Sequence, residues 1–117
     1  MSEYERALGD LGVRISGLRA ALVFESSGIE VCSWGGADPD MNSAEFAELL
    51  GRLGEADTLA AEGPVEGLSV HGADGQWLLV PLGTEYALAL LADPDVPTGK
   101  LRFYAGEWAA AHGEDFA

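Results

Sequence analysis

Shortly after the turn signal Gly83-Thr84 and before Asp93-Pro94-Asp95 comes the run Tyr86-Ala87-Leu88-Ala89-Leu90-Leu91, which has no charged or amide side chain. Six residues are too few for a stable helix and suit a strand. A strand with one wet face alternates apolar and polar residues. An unbroken apolar run predicts a strand covered on both faces. The sheet that holds Tyr86–Leu91 therefore has to carry other elements in front and behind.

The rest of the chain supplies them. Leu18–Glu25 reads as a strand centred on Ala20-Ala21-Leu22-Val23-Phe24. Ser26-Ser27-Gly28 is a short turn, and Ile29–Trp34 is its hairpin mate. Pro64–His71 and Gln76–Leu82 are two more strands, joined by the turn Ala73-Asp74-Gly75. Helical spacing marks 3–14 (Tyr4, Leu8, Leu11), 43–61, and 98–112 (Leu101, Tyr104, Trp108, Ala111). Asn42 stands as an N-cap, with Glu45 completing a capping box. The order is helix, two strands, helix, three strands, helix. It predicts an α/β (α+β) sandwich: a five-stranded antiparallel sheet with helices on both faces. At 117 residues the chain is expected to form one domain, 1–117.

The helix at 43–61 divides into three stripes. Phe46, Leu49, Leu50, Leu53 and Ala60 make a large apolar stripe, interrupted by Asp57, for which the pattern offers no reason. Ala44, Ala47, Gly51, Gly54, Thr58 and Ala61 make a stripe of small residues. Glu45, Glu48, Arg52, Glu55 and Glu62 are charged. One buried face accounts for the first stripe. Each helical glycine costs about 1 kcal/mol relative to alanine, and a second backbone crossing close by would justify that cost. The alternative is a surface helix that tolerates its glycines. Arg52 is placed to pair with Glu48 or Glu55.

Twenty acids against six bases leave a net charge of −14. Nucleic acid and anionic membrane are poor partners for such a chain, because both require clustered cations. Residues 36–66 hold eight of the acids and one base, a face that can steer a basic partner or simply keep the chain soluble. No apolar run reaches the length of a membrane helix, and Met1–Glu5 lacks the basic flank and apolar core of a signal peptide, so the expected location is the cytoplasm. The single cysteine, Cys32, sits among apolar residues and reads as a small buried hydrophobe. The tryptophans Trp34, Trp77 and Trp108 read as packing residues. His71, His112 and Cys32 lie far apart in sequence and form no metal or nucleophile motif. No glycine-rich stretch has the lysine and hydroxyl of a phosphate loop. No catalytic residue, metal site or cofactor is expected.

Two segments carry a family resemblance. Gly17-Leu18-Arg19-Ala20-Ala21-Leu22-Val23-Phe24, followed by Ser26-Ser27-Gly28, resembles the opening hairpin of the roadblock/dynein light-chain family, without the aspartate that commonly precedes the glycine. Leu88-Ala89-Leu90-Leu91-Ala92-Asp93-Pro94-Asp95, continuing to Gly99, resembles that family's fifth strand and the turn into its last helix. The resemblance implies a homodimer or heterodimer in which the strand near 65–71 joins its mate edge to edge and the second helices pack together. The interface residues would be Ala44, Ala47, Gly51, Gly54, Thr58, Leu68, Ser69 and Val70. It also implies a non-catalytic regulator or adaptor of a Ras-like small GTPase, with Glu48, Arg52 and Glu55 facing the partner. A purely structural dimerisation module and a small-molecule sensor domain are the competing readings.

Overall fold

The computed structural model of the chain describes residues 3–36 and 43–116. The elements run α1 (Glu3–Arg14), β1 (Leu18–Glu25), β2 (Glu30–Gly35), α2 (Ser43–Glu55), α3 (Asp57–Ala60), β3 (Leu68–His71), β4 (Gln76–Leu82), β5 (Tyr86–Ala92) and α4 (Thr98–His112), with a closing 3-10 turn at Gly113–Phe116. The five strands form one antiparallel sheet in the order β2-β1-β5-β4-β3. The apolar run of β5 is central and buried on both faces, as its composition requires.

Two cores lie on opposite sides of that sheet. On one side, α1 and α4 bring Leu8, Leu11, Ile15, Leu101, Ala105 and Trp108 onto Val23, Leu88 and Leu90. On the other, Phe46, Ala47 and Leu50 of α2 pack on Leu22, Phe24, Leu79, Ala87 and Ala89. Period-two alternation thus gives β5 a leucine face toward α1 and α4 and an alanine face toward α2. Gln76, almost fully buried, holds the turn into α4: its Nε2 donates to the carbonyls of Asp93 (3.1 Å) and Val96 (2.6 Å).

Several boundaries differ from those expected. The helix at 43–61 is interrupted at Ala56, whose backbone is extended (φ −77°, ψ 108°). The break resets the helical phase, so Asp57 leaves the apolar stripe. It stands exposed in the first turn of α3, where an acid suits the helix dipole. Leu49, expected on the buried face, is 39% exposed, because α2 packs on the sheet through Phe46, Ala47 and Leu50 and buries only that part of its circumference. Ala111 of α4 is exposed, while Ala105 takes the buried place. The strand expected from Pro64 begins at Leu68; Pro64 has no amide hydrogen for a ladder and Gly67 no side chain to pack. The second strand starts at Glu30, and its register slips between Val23 and Phe24, leaving Val31 bulged and exposed with Ile29. The N-cap Asn42 lies outside the described residues, as does most of the acidic loop.

Close approach to a helical glycine occurs, but in α1. A Cβ on Gly12 would overlap the Trp34 indole, and one on Gly9 would touch it at 3.4 Å. These two glycines let β2 seat a tryptophan against the helix. Around Gly51 and Gly54 of α2 nothing lies within 4 Å of where a Cβ would stand. The two sites should respond oppositely to one substitution. Gly12→Ala is expected to lower stability by about 1–3 kcal/mol through overpacking and to shift Trp34 fluorescence. Gly51→Ala should raise the unfolding free energy of the isolated chain by about 1 kcal/mol. Urea titration of both variants checks the pair.

Candidate functional site

The site is built on α2, and its position depends on three local features. At its start, Ser43 Oγ donates to the carbonyl of Gly28 at 2.5 Å, tying the helix to the β1–β2 turn. Gly28 takes φ +94°, and the Cα of Ala44 would lie 2.7 Å from any Cβ there. In the middle, the Phe46 ring stands 4.8 Å from Trp77 and 6.1 Å from Phe24, both tilted, an arrangement that favours ring edges against faces. Leu50 completes the buried row.

Of the small residues expected to line an interface, Ala44, Ala47, Gly51 and Gly54 lie along α2 at helical spacing, and Thr58 lies beyond its end. Ala44 lies against Gly28. Ala47 is half-buried on the sheet. Gly54 is exposed, and Thr58 stands exposed beyond the break at Ala56. Ala47 and Gly51 form one wall of a crevice of about 240 Å³, whose other boundaries are Phe24, Leu50, Ala87 and the β4–β5 hairpin from Pro81 to Tyr86. The crevice exists because the helical wall, Ala47 and Gly51, is made of small residues. A larger groove, about 530 Å³, runs between α1 and α4, with Arg14 and Glu107 facing each other at 3.9 Å.

The charged stripe points outward. Arg52 donates to Glu48 Oε1 at 2.8 Å, one helical turn away, and both side chains are exposed along with Glu55. Such an exposed pair contributes little to stability. Arg14 faces Glu107 and Arg19 faces Asp93 (3.3 Å), so these cations too are matched by the chain's own acids.

Leu68, Ser69 and Val70 lie on β3, an edge strand of the sheet, with Val70 48% exposed. The two edges are unlike. β2 carries a bulge and Glu30, both of which discourage further pairing. β3 pairs with β4 in unbroken register and has neither bulge nor acid. Sequence reasoning placed β3 near an interface through family resemblance, whereas the contrast between the edges is visible only in the assembled sheet. The docking of Gly28 under Ala44 and the crevice had no sequence signal either, since both arise between segments far apart in the chain.

Cys32 is buried, and burial pushes its thiol up to about 11, so it stays protonated at neutral pH. Trp108 is buried, while Trp34 and Trp77 are half-buried against their neighbours. Among the described residues no three His, Cys, Asp or Glu are grouped to hold a metal ion, and no helix is long and apolar enough to cross a membrane.

The sequence matches no family model and no curated protein. Solved structures do match over nearly the whole chain. A roadblock/LC7 domain from Streptomyces avermitilis superposes with a TM-score of 0.78 at 18% identity, covering 98% of each chain. MglB from Myxococcus xanthus gives 0.83 at 14% identity, again with 98% of each chain covered. A structure of MglB in a tetrameric arrangement gives 0.83 at 19% identity, covering 97% of this chain and 90% of that one. With five strands in the order β2-β1-β5-β4-β3, α1 and α4 on one face and α2 on the other, the chain has the roadblock/LC7 fold.

Proposed function

We propose that this chain is a non-catalytic regulator or adaptor that pairs with itself through the β3 edge and α2, and docks on a Ras-like small GTPase. The observation that carries the pairing is the contrast between the two sheet edges: β2 is blunted, and β3 offers Leu68, Ser69 and Val70 to a further strand. Edge-to-edge pairing of two copies would extend the sheet and bring the exposed Gly54 and Thr58 near the join. Support for assembly by this fold comes from the tetrameric arrangement of MglB. Support for the GTPase comes from the family resemblance of the opening hairpin and the β5–α4 turn.

Glu48, Arg52 and Glu55 are assigned to the partner contact, because they are exposed on the side of α2 turned from the sheet. A cluster dominated by acid favours a basic patch on the partner and raises association rate more than affinity. The sensor reading is weaker: the crevice at α2 is smaller than the usual ligand pocket of 300–1,000 Å³, and the larger groove between α1 and α4 is open to solvent and bordered by the exposed Arg14–Glu107 pair.

The test is capture of Ras-like GTPases from the source organism by the immobilised chain, each loaded with GDP or a non-hydrolysable GTP analogue. Capture is expected to differ at least tenfold between the nucleotide states and to fall when Glu48 and Glu55 are both changed to lysine. No capture in either state, with self-association intact, would leave the structural dimerisation module in its place.

A further inference from the structure

We propose that the crevice between α2 and the β4–β5 hairpin receives one large apolar side chain from a protein partner, carried on a segment with lysine or arginine on either side of it. The inference shares α2 with the reading above. It holds whatever the partner is, and its test involves no GTPase.

The size argument comes first. Nothing lies within 4 Å of a Cβ built on Gly51, and Ala47 and Ala87 extend little into the gap above Phe24 and Leu50. The space measures about 240 Å³. An apolar cavity of roughly 150 Å³ accommodates a benzene ring, so this crevice holds a phenyl or isobutyl group and is too small for a helix. Its walls are mostly apolar side chains, and a desolvated apolar anchor in such a pocket is how protein interfaces concentrate their binding energy.

Charge selects the rest of the occupant. Glu85 lines the crevice, and no lysine, arginine or histidine does. Helical spacing places Glu48 and Glu55 next around the axis from Gly51, so acids border the helical wall as well. Arg52, the one base on α2, is turned to Glu48. A cationic segment brings the opposite charge to this acidic rim.

The test uses the full ¹⁵N-labelled chain titrated with the blocked tripeptide Lys-Phe-Lys, and with Lys-Ala-Lys and Glu-Phe-Glu as comparators. Affinity for so short a probe is expected on the order of 1 mM. The account predicts saturable amide shifts at Ala47, Leu50, Gly51, Thr84, Glu85 and Ala87, at least fivefold weaker with either comparator. Glu85→Lys, at an exposed turn position, should weaken Lys-Phe-Lys and strengthen Glu-Phe-Glu. Equal response to Lys-Phe-Lys and Lys-Ala-Lys would overturn the anchor, and shifts centred elsewhere would overturn the site. Shifts at the same amides that grow with protein concentration alone would give the crevice to a second copy and also overturn the proposal.

Discussion

Phe46→Ala is expected to lower the free energy of unfolding by about 3 kcal/mol, with a fall in melting temperature of about 10 °C. Truncation of a fully buried phenylalanine costs about 3–5 kcal/mol, and Phe46 is half-buried, which sets the value at the lower end. Its ring contacts with Phe24 and Trp77 raise the effect above burial alone. The alanines of β5 below α2 extend too little to refill the gap. Ser43 is the one buried residue of α2, and the helix depends on the half-buried Phe46 and Leu50 for its seat on the sheet. The variant should therefore lose Trp77 burial, read as a red shift in emission, before the core under α1 and α4 opens. An unfolding free energy within about 0.5 kcal/mol of the parent would mean that α2 is held elsewhere.

Gly28→Ala is expected to have a comparable effect for an unrelated reason. At φ +94° an L side chain is strained by about 1–2 kcal/mol, and the added methyl would meet the Cα and Cβ of Ala44 at 2.7 and 2.9 Å. The first contact is with backbone, so either the turn or the start of α2 has to move, adding about 1–3 kcal/mol. The sum is about 3 kcal/mol, with the Ser43 hydrogen bond lost as the segments separate. Hydrogen exchange should show faster amide exchange at the start of α2 and little change in α4. Uniform acceleration across the chain would contradict a local mooring.

Much of the fold was legible because its signals are local. The apolar run of β5 predicted coverage on both faces, and both faces are covered. The helices at 3–14 and 98–112 came from periodicity and were found with those limits. The helix at 43–61 was overextended because Ala56, an excellent helix former, sits at the break; the one hint was Asp57, out of place in the apolar stripe. The third strand is expected four residues early because Val65 is apolar like Leu68 and Val70, while the pairing with β4 begins only at Leu68.

The candidate site was less legible. Close approach does justify helical glycines, but within one chain it is Gly9 and Gly12 of α1 that have the close neighbour, a tryptophan from β2. Gly51 and Gly54 face open space in a single chain. Spacing alone separates these cases only once it is known which strand runs beneath each helix. The outward placement of Glu48, Arg52 and Glu55 was readable, because a charged stripe opposite a buried row has one place to go. The distinction between a blunted β2 and an open β3 required the register of the assembled sheet.

The central claim is that the chain works as a pair joined at β3, and sedimentation equilibrium of the parent and of Val70→Lys measures it directly. Val70 is exposed at the sheet edge, so lysine there should change the folding stability of one chain by no more than about 0.5 kcal/mol while blocking a further strand. The account predicts twice the chain mass for the parent and the single-chain mass for the variant at the same concentration. A parent that sediments as a single chain at every concentration, or a Val70→Lys variant that stays fully paired, would contradict it.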